Sequence, residues 1–160
     1  MKRKDKENYY LDIAETVLER STCMRRQYGA IIVLNDEIVS TGYNGAPRGR
    51  KNCDDLEYCT RESLKIPSGE RYELCRSVHA EANAIVSAPR RDIIGATLYL
   101  VGLETSTGEY INGTTPCTMC RRLIINAGIS KVVCRLRKDA FSVTHVRDWV
   151  FNDDSLPAIL

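Results

Sequence analysis

Apolar residues recur at helical spacing near the start of the chain. Tyr10, Ile13, Ala14, Val17 and Leu18 fall on one face, which predicts an amphipathic helix over 7–20. The period then shortens. The stretch "YGAIIVLNDEIVSTGYNG" holds two β-branched runs, 30–34 and 37–41, with Asn35-Asp36 between them as a hairpin turn. Residues 42–76 lose periodicity and are rich in Gly, Pro, Asn, Cys and charge. A structureless segment of that length inside a compact domain is usually functional. Periodicity returns at 79–88, an Ala-rich helix that must stop before Pro89. "GATLYLVG" reads as a third strand, and "ETSTGEYINGTT" after it as polar and turn-rich. "PCTMCRRLIINAG" reads as a helix opened by Pro and closed by Gly. "SKVVCR" is a fourth strand, 141–146 a fifth, and a short helix follows near Trp149. Strand–helix alternation in the second half predicts parallel pairing and an α/β sandwich.

Length and composition change this picture little. The 160 residues suit one domain, 1–160, carrying a Cys-rich insertion at about 44–76. A net charge of +2 gives no footprint for a polynucleotide or a membrane surface. The start "MKRKDKENYY" is basic, but no apolar run follows it. It does not read as a secretory signal, and no segment approaches the ~20 apolar residues of a membrane helix. A cytoplasmic setting is expected. Seven cysteines there point to metal ligands, catalytic groups or core rather than disulfides.

Two short motifs carry chemistry. Cys117 and Cys120 stand two residues apart at a predicted helix N-terminus, where the dipole and free N–H groups favour thiolates. His79 opens another helix and is one of two histidines in the chain. A His-Cys-Cys set gives three ligands and leaves a fourth position open for water, the mark of a catalytic zinc site. Glu81, two residues after His79, can then move protons without binding the metal. His-x-Glu followed by Pro-Cys-x-x-Cys is the signature of zinc deaminases. Cys134 lies on an apolar strand and reads as core.

Several stretches extend the match. "HAEANAI" at 79–85, "GATLY" at 95–99, "PCTMC" at 116–120 and "IINAGISKVV" at 124–133 resemble the cytidine and deoxycytidylate deaminase superfamily. "CMRRQYGAIIV" at 23–33 and "TGYNGAPRG" at 41–49 resemble its deoxycytidylate (dCMP) branch. The resemblance implies a three-layer α/β/α sandwich with a five-stranded mixed sheet. It implies hydrolysis of dCMP to dUMP and ammonia, with Glu81 as proton carrier. It further implies that Asn44 contacts substrate, that the backbone of Ala80 reads the base edge, and that Arg90 contacts the phosphate. The plainer reading of Pro89-Arg90-Arg91 is a solvated helix end, and Arg25 and Arg26 are rival phosphate contacts. The loop holding Gly42, Tyr43, Asn44, Gly45 and Gly49 matches an allosteric site. A deoxycytidine triphosphate with magnesium would activate there and a thymidine triphosphate inhibit. Otherwise its glycines merely close a turn. A homo-oligomer, a hexamer by resemblance, is implied as well.

Cys23, Cys53, Cys59 and Cys75 lie in or beside the irregular segment, which has little apolar material of its own. A second, structural zinc on these four would cross-link it. Sixteen residues separate Tyr99 from Pro116, more than the family pattern, and are expected to enter the active-site rim. His145 reads as structural. Two other functions compete: a deaminase of another cytosine or modified nucleoside or nucleotide, and a non-catalytic zinc-binding interaction module. Glu81 separates them, because a purely structural module has no use for a carboxylate beside an open metal position.

Overall fold

The computed structural model describes residues 1–154 and 156. In chain order the elements are α1 (Lys6–Leu18), β1 (Arg26–Leu34), β2 (Glu37–Tyr43), α2 (Cys53–Leu56), α3 (Thr60–Ser63), α4 (Ala80–Val86), β3 (Thr97–Glu104), α5 (Thr118–Ala127), β4 (Lys131–Arg137), β5 (Ala140–His145) and α6 (Val146–Phe151). The sheet order is β2-β1-β3-β4-β5. β3 and β4 run parallel through α5, and every other pair is antiparallel. The result is the α/β sandwich that the alternation predicts, with the three layers and five-stranded mixed sheet that the family resemblance implies.

Side chains alternate across the sheet, so each central strand feeds two cores. Ala30 and Ile32 of β1, Leu98 and Leu100 of β3, and Val132 and Cys134 of β4 face α4, α5 and α6. Ile31, Val33, Tyr99, Val101 and Val133 face α1. Asn35 and Asp36 both take positive φ, 52° and 64°, as a two-residue hairpin with the sheet's twist requires. Close helix–sheet contact beside the α4 N-terminus needs glycine. A Cβ on Gly42 of β2 would lie 2.3 Å from the Ala80 carbonyl of α4.

The structure differs from the sequence pattern in two places. The irregular segment contains the single-turn helices α2 and α3 and a 3-10 turn at Tyr72–Leu74. Local caps and tertiary bonds hold these pieces, so periodicity could not reveal them. Asn52 and Asp55 form a capping box on α2. The excursion at 100–115 reaches the active-site wall through its last residue, Thr115. Its first residues extend β3, and Tyr110 then folds back onto Leu103 and bonds Glu15 of α1. Tyr110 packs on the α1 side, while buried Ile111 lies beside Gly102 and Tyr28 on the opposite face of the sheet. No helix among the described residues is long and apolar enough to cross a membrane.

Candidate active site

Two helix N-termini meet on the α4/α5 side of the sheet. His79 is the N-cap of α4 and Cys117 the N-cap of α5. The Cys117 Sγ accepts from the Cys120 backbone N–H at 3.4 Å. The His79 Nδ1 lies 3.5 Å from Cys117 Sγ and 3.4 Å from Cys120 Sγ. All three ligand atoms fall within 4.8 Å of one another. Tetrahedral zinc with ordinary Zn–N and Zn–S lengths sets nitrogen and sulfur about 3.6 Å apart. The donor set and spacing therefore fit zinc.

Titration follows from the packing. The Cys120 thiol donates to Cys117 and holds it down to about 4, with His79 adding to the effect. Cys120 is raised by the same bond, and burial adds to the rise. Burial alone would lower His79, but Cys117 and Glu81 outweigh it and raise the ring. Glu81, in the first turn of α4, is only 5% exposed, and burial raises its carboxyl.

His79, Glu81 and Cys117 line one cavity together with Ala80, Asn44, Tyr28 and Thr115, while Cys120 is fully buried. Asn44 acts as a latch. Its Oδ1 accepts from the Tyr28 backbone N–H at 2.8 Å and from the Ser21 hydroxyl, and its Nδ2 donates to the Arg26 carbonyl. The adjoining loop is tied to the start of α4. Gly45 and Val78 exchange backbone bonds of 3.2 and 2.8 Å, and Asn83 Nδ2 donates to the Tyr43 carbonyl. Gly49 sits in the open at φ +88°.

Arg90 is not among the residues that line the cavity. Its Nε donates to the Asn126 carbonyl at 2.7 Å, at an exposed helix end. Arg25 and Arg26 do line it, paired with Glu62 and Glu104. The remaining wall comes from the irregular segment, which contributes Arg61, Ser68, Gly69 and Tyr72. No periodicity or motif marks Arg61 or Tyr72 along the chain, so only the folded structure reveals them. Tyr72 packs edge-on against His79, ring centroids 4.9 Å apart, and the Arg61 guanidinium lies 4.7 Å from the Tyr72 ring centre. His145 caps α6 at its N-terminus.

The seven cysteines are free thiols, and Cys134 is buried in the core. Cys23, Cys59 and Cys75 line the cavity wall. Burial raises the Cys53 thiol, and the charges of Cys23, Cys75 and Cys59 add to the rise. Among the described residues, only His79, Cys117 and Cys120 close to metal-ligand spacing.

Residues 4–136 match the model of the cytidine and deoxycytidylate deaminase zinc-binding region, and the chain belongs to that family. Within it, the chain is 40% identical over 138 residues to the deoxycytidylate deaminase of Mycobacterium phage D29, covering 83% of this chain and 96% of that one. It is 33% identical to the deoxycytidylate deaminase of Schizosaccharomyces pombe, covering 79% of this chain but only 36% of that longer one. The dCMP deaminase of cyanophage S-TIM5, solved in complex with dCMP and dUMP, superposes with a TM-score of 0.54. It is 25% identical, over 84% of each chain.

Proposed function

We propose that this chain hydrolyses dCMP to dUMP and ammonia. One observation carries the reading: a buried carboxyl, Glu81, shares a cavity with His79 and Cys117, which stand at zinc spacing with buried Cys120. The D29 and S-TIM5 proteins give the substrate class. His79, Cys117 and Cys120 would hold zinc, which when bound supplies the Lewis acidity that makes water nucleophilic at neutral pH.

Glu81 does the proton work. Its burial-raised pKa suits a group that must both accept and release protons. It takes one proton from the attacking water and passes it to N3 of the base. The second proton of that water reaches the leaving amine through the same carboxylate. The C4–O bond forms, the C4–N bond breaks, and Glu81 ends as it began. The Ala80 backbone reads the base edge. The second hydrogen on Asn44 Nδ2 is left for the substrate. The phosphate falls to an arginine of the cavity or to Arg90.

Glu81→Gln keeps the shape and removes the transfer. The variant is expected to retain its zinc while turnover falls by roughly 10²–10⁴-fold. Zinc analysis beside an assay on dCMP, CMP, dCTP and deoxycytidine checks both points. A variant that keeps most of its rate refutes the assigned role, and preference for another substrate refutes the dCMP reading.

A second, structural zinc on Cys23, Cys53, Cys59 and Cys75 is part of the proposal, supported by Cys23, Cys59 and Cys75 lining one cavity wall. It predicts more than one zinc per chain, and a thermally weaker Cys53→Ser variant. One zinc per chain with an unchanged variant removes it. A nucleotide triphosphate with magnesium at the 42–49 loop would act on His79 through the Gly45–Val78 bridge. Exposed Val86, Ile94, Leu123, Val150 and Phe151, all on the α4/α5/α6 side, support a homo-oligomer.

A further inference from the structure

Among the three arginines that line the cavity, charge pairing singles out one. Arg25 is held by Glu62 at 3.0 Å and Arg26 by Glu104 at 3.1 Å, both on exposed carboxylates. Arg61 is 7% exposed and has no ion pair among the described residues. Its fold-supplied partners are neutral. Its Nη2 donates to the Pro67 carbonyl at 3.0 Å and the Glu70 carbonyl at 2.7 Å, and its face rests on Tyr72. Its Nε is buried without a partner.

A buried cation without a counter-charge is costly, and carbonyls and a ring repay only part of that. The position explains why the cost is kept. Arg61 ties both ends of the Pro67–Glu70 turn, and Ser68 and Gly69 between them face the same cavity. Tyr72 bridges from Arg61 to His79, so the cation lies one ring beyond the metal-ligand set. A base held at Glu81 would extend its sugar and phosphate from that end of the cavity toward the irregular segment.

We propose that Arg61 is the specificity-determining anion contact of this pocket: the monophosphate of the nucleotide is the counter-ion that the fold withholds, with the Ser68 hydroxyl beside it. A guanidinium suits a phosphate because its donors match two oxygens at once. The Cys-rich insertion thereby becomes the part of the chain that tells a nucleotide from a nucleoside. This rests on the deaminase reading above and deepens it.

The test compares Arg61→Gln with wild type on dCMP and on deoxycytidine. A charge-assisted contact present in ground and transition states alike acts on binding. The KM for dCMP is expected to rise roughly 10–200-fold with kcat little changed. The residual deoxycytidine activity should stay within about two-fold. A purely structural arginine would weaken both substrates equally, and that result overturns the assignment while leaving the deaminase reading intact. A wild type inactive on dCMP overturns both. Should the variant fail to fold, the wild-type crystal structure with dUMP decides. Phosphate oxygens within about 3.2 Å of the Arg61 guanidinium support the assignment. A phosphate seated on Arg25, Arg26 or Arg90 with Arg61 untouched overturns it.

Discussion

Two buried arginines stand on opposite sides of the sheet, and they are kept in place by different means. Arg135, on β4 under α1, is 2% exposed. Its Nη1 donates to Asp12 Oδ1 and Glu15 Oε2, each at 2.8 Å, and its Nη2 reaches the carbonyl and the side chain of Asn8. Lys4 joins through Asp12, and Tyr110 through Glu15. Arg61 has two carbonyls and a ring. Both leave Nε unpartnered, so that feature does not separate them. Charge does. The α1 side closes its own ledger of charge and is finished as structure. The active-site side carries a cation whose opposite is not in the chain.

The comparison breaks first at stability. Removing Arg135 leaves the Asp12 and Glu15 carboxylates without their guanidinium, and breaking a fully buried pair typically costs about 3–5 kcal/mol. Asp12 and Glu15 keep 42% and 32% side-chain exposure and can recover some hydration, which places Arg135→Met at the low end, about 3 kcal/mol. Urea unfolding measures it, and catalytic constants per folded molecule should not move. Arg61→Gln should cost less without ligand, about 1–2 kcal/mol for two bonds to neutral carbonyls. It should instead lose most of the stabilisation that dUMP confers on wild type. Equal losses in the two variants, with dUMP protecting both alike, would erase the distinction.

The two sides also differ in how far the sequence announced them. His79, Glu81, Cys117 and Cys120 could be read directly because each pair is local: two or three residues apart, at a helix start that composition marks. The strands were legible for the same reason, since period 2 is written in neighbours. Arg135 gave no sign, because its partners lie 120 and 123 residues away and only the folded sheet brings them together. Arg61 sits in a stretch whose shape depends on tertiary bonds, where neither charge nor spacing predicts burial. Arg90 shows the converse. Its offset from His79 is a motif-level match, yet on this chain it bonds the Asn126 carbonyl outside the cavity. The four loop cysteines were legible as a group but not as a coordination geometry, which depends on how the short helices settle.

The smallest effect that sharpens the contrast is acid dependence. Burial alone would raise Asp12, but hydrogen bonds from Lys4 and Arg135 outweigh it and lower the carboxyl below its usual value. The folded state thus holds this proton less readily than the unfolded chain does. The linked stability is fully present above the unfolded carboxyl pKa of about 4, and it is lost as pH falls through the lower folded value. Asp12 is partly exposed, so salt screens the effect and it should be modest. Loss of zinc at low pH is common to all variants and cancels in a difference. The gap in urea midpoint between wild type and Asp12→Asn should therefore narrow from about pH 6 to about pH 3. Arg61→Gln has no carboxylate partner to protonate, so its gap from wild type without ligand should stay level over the same range. A flat Asp12→Asn gap would mean that Arg135 is not held by charge, and the two arginines would then be alike.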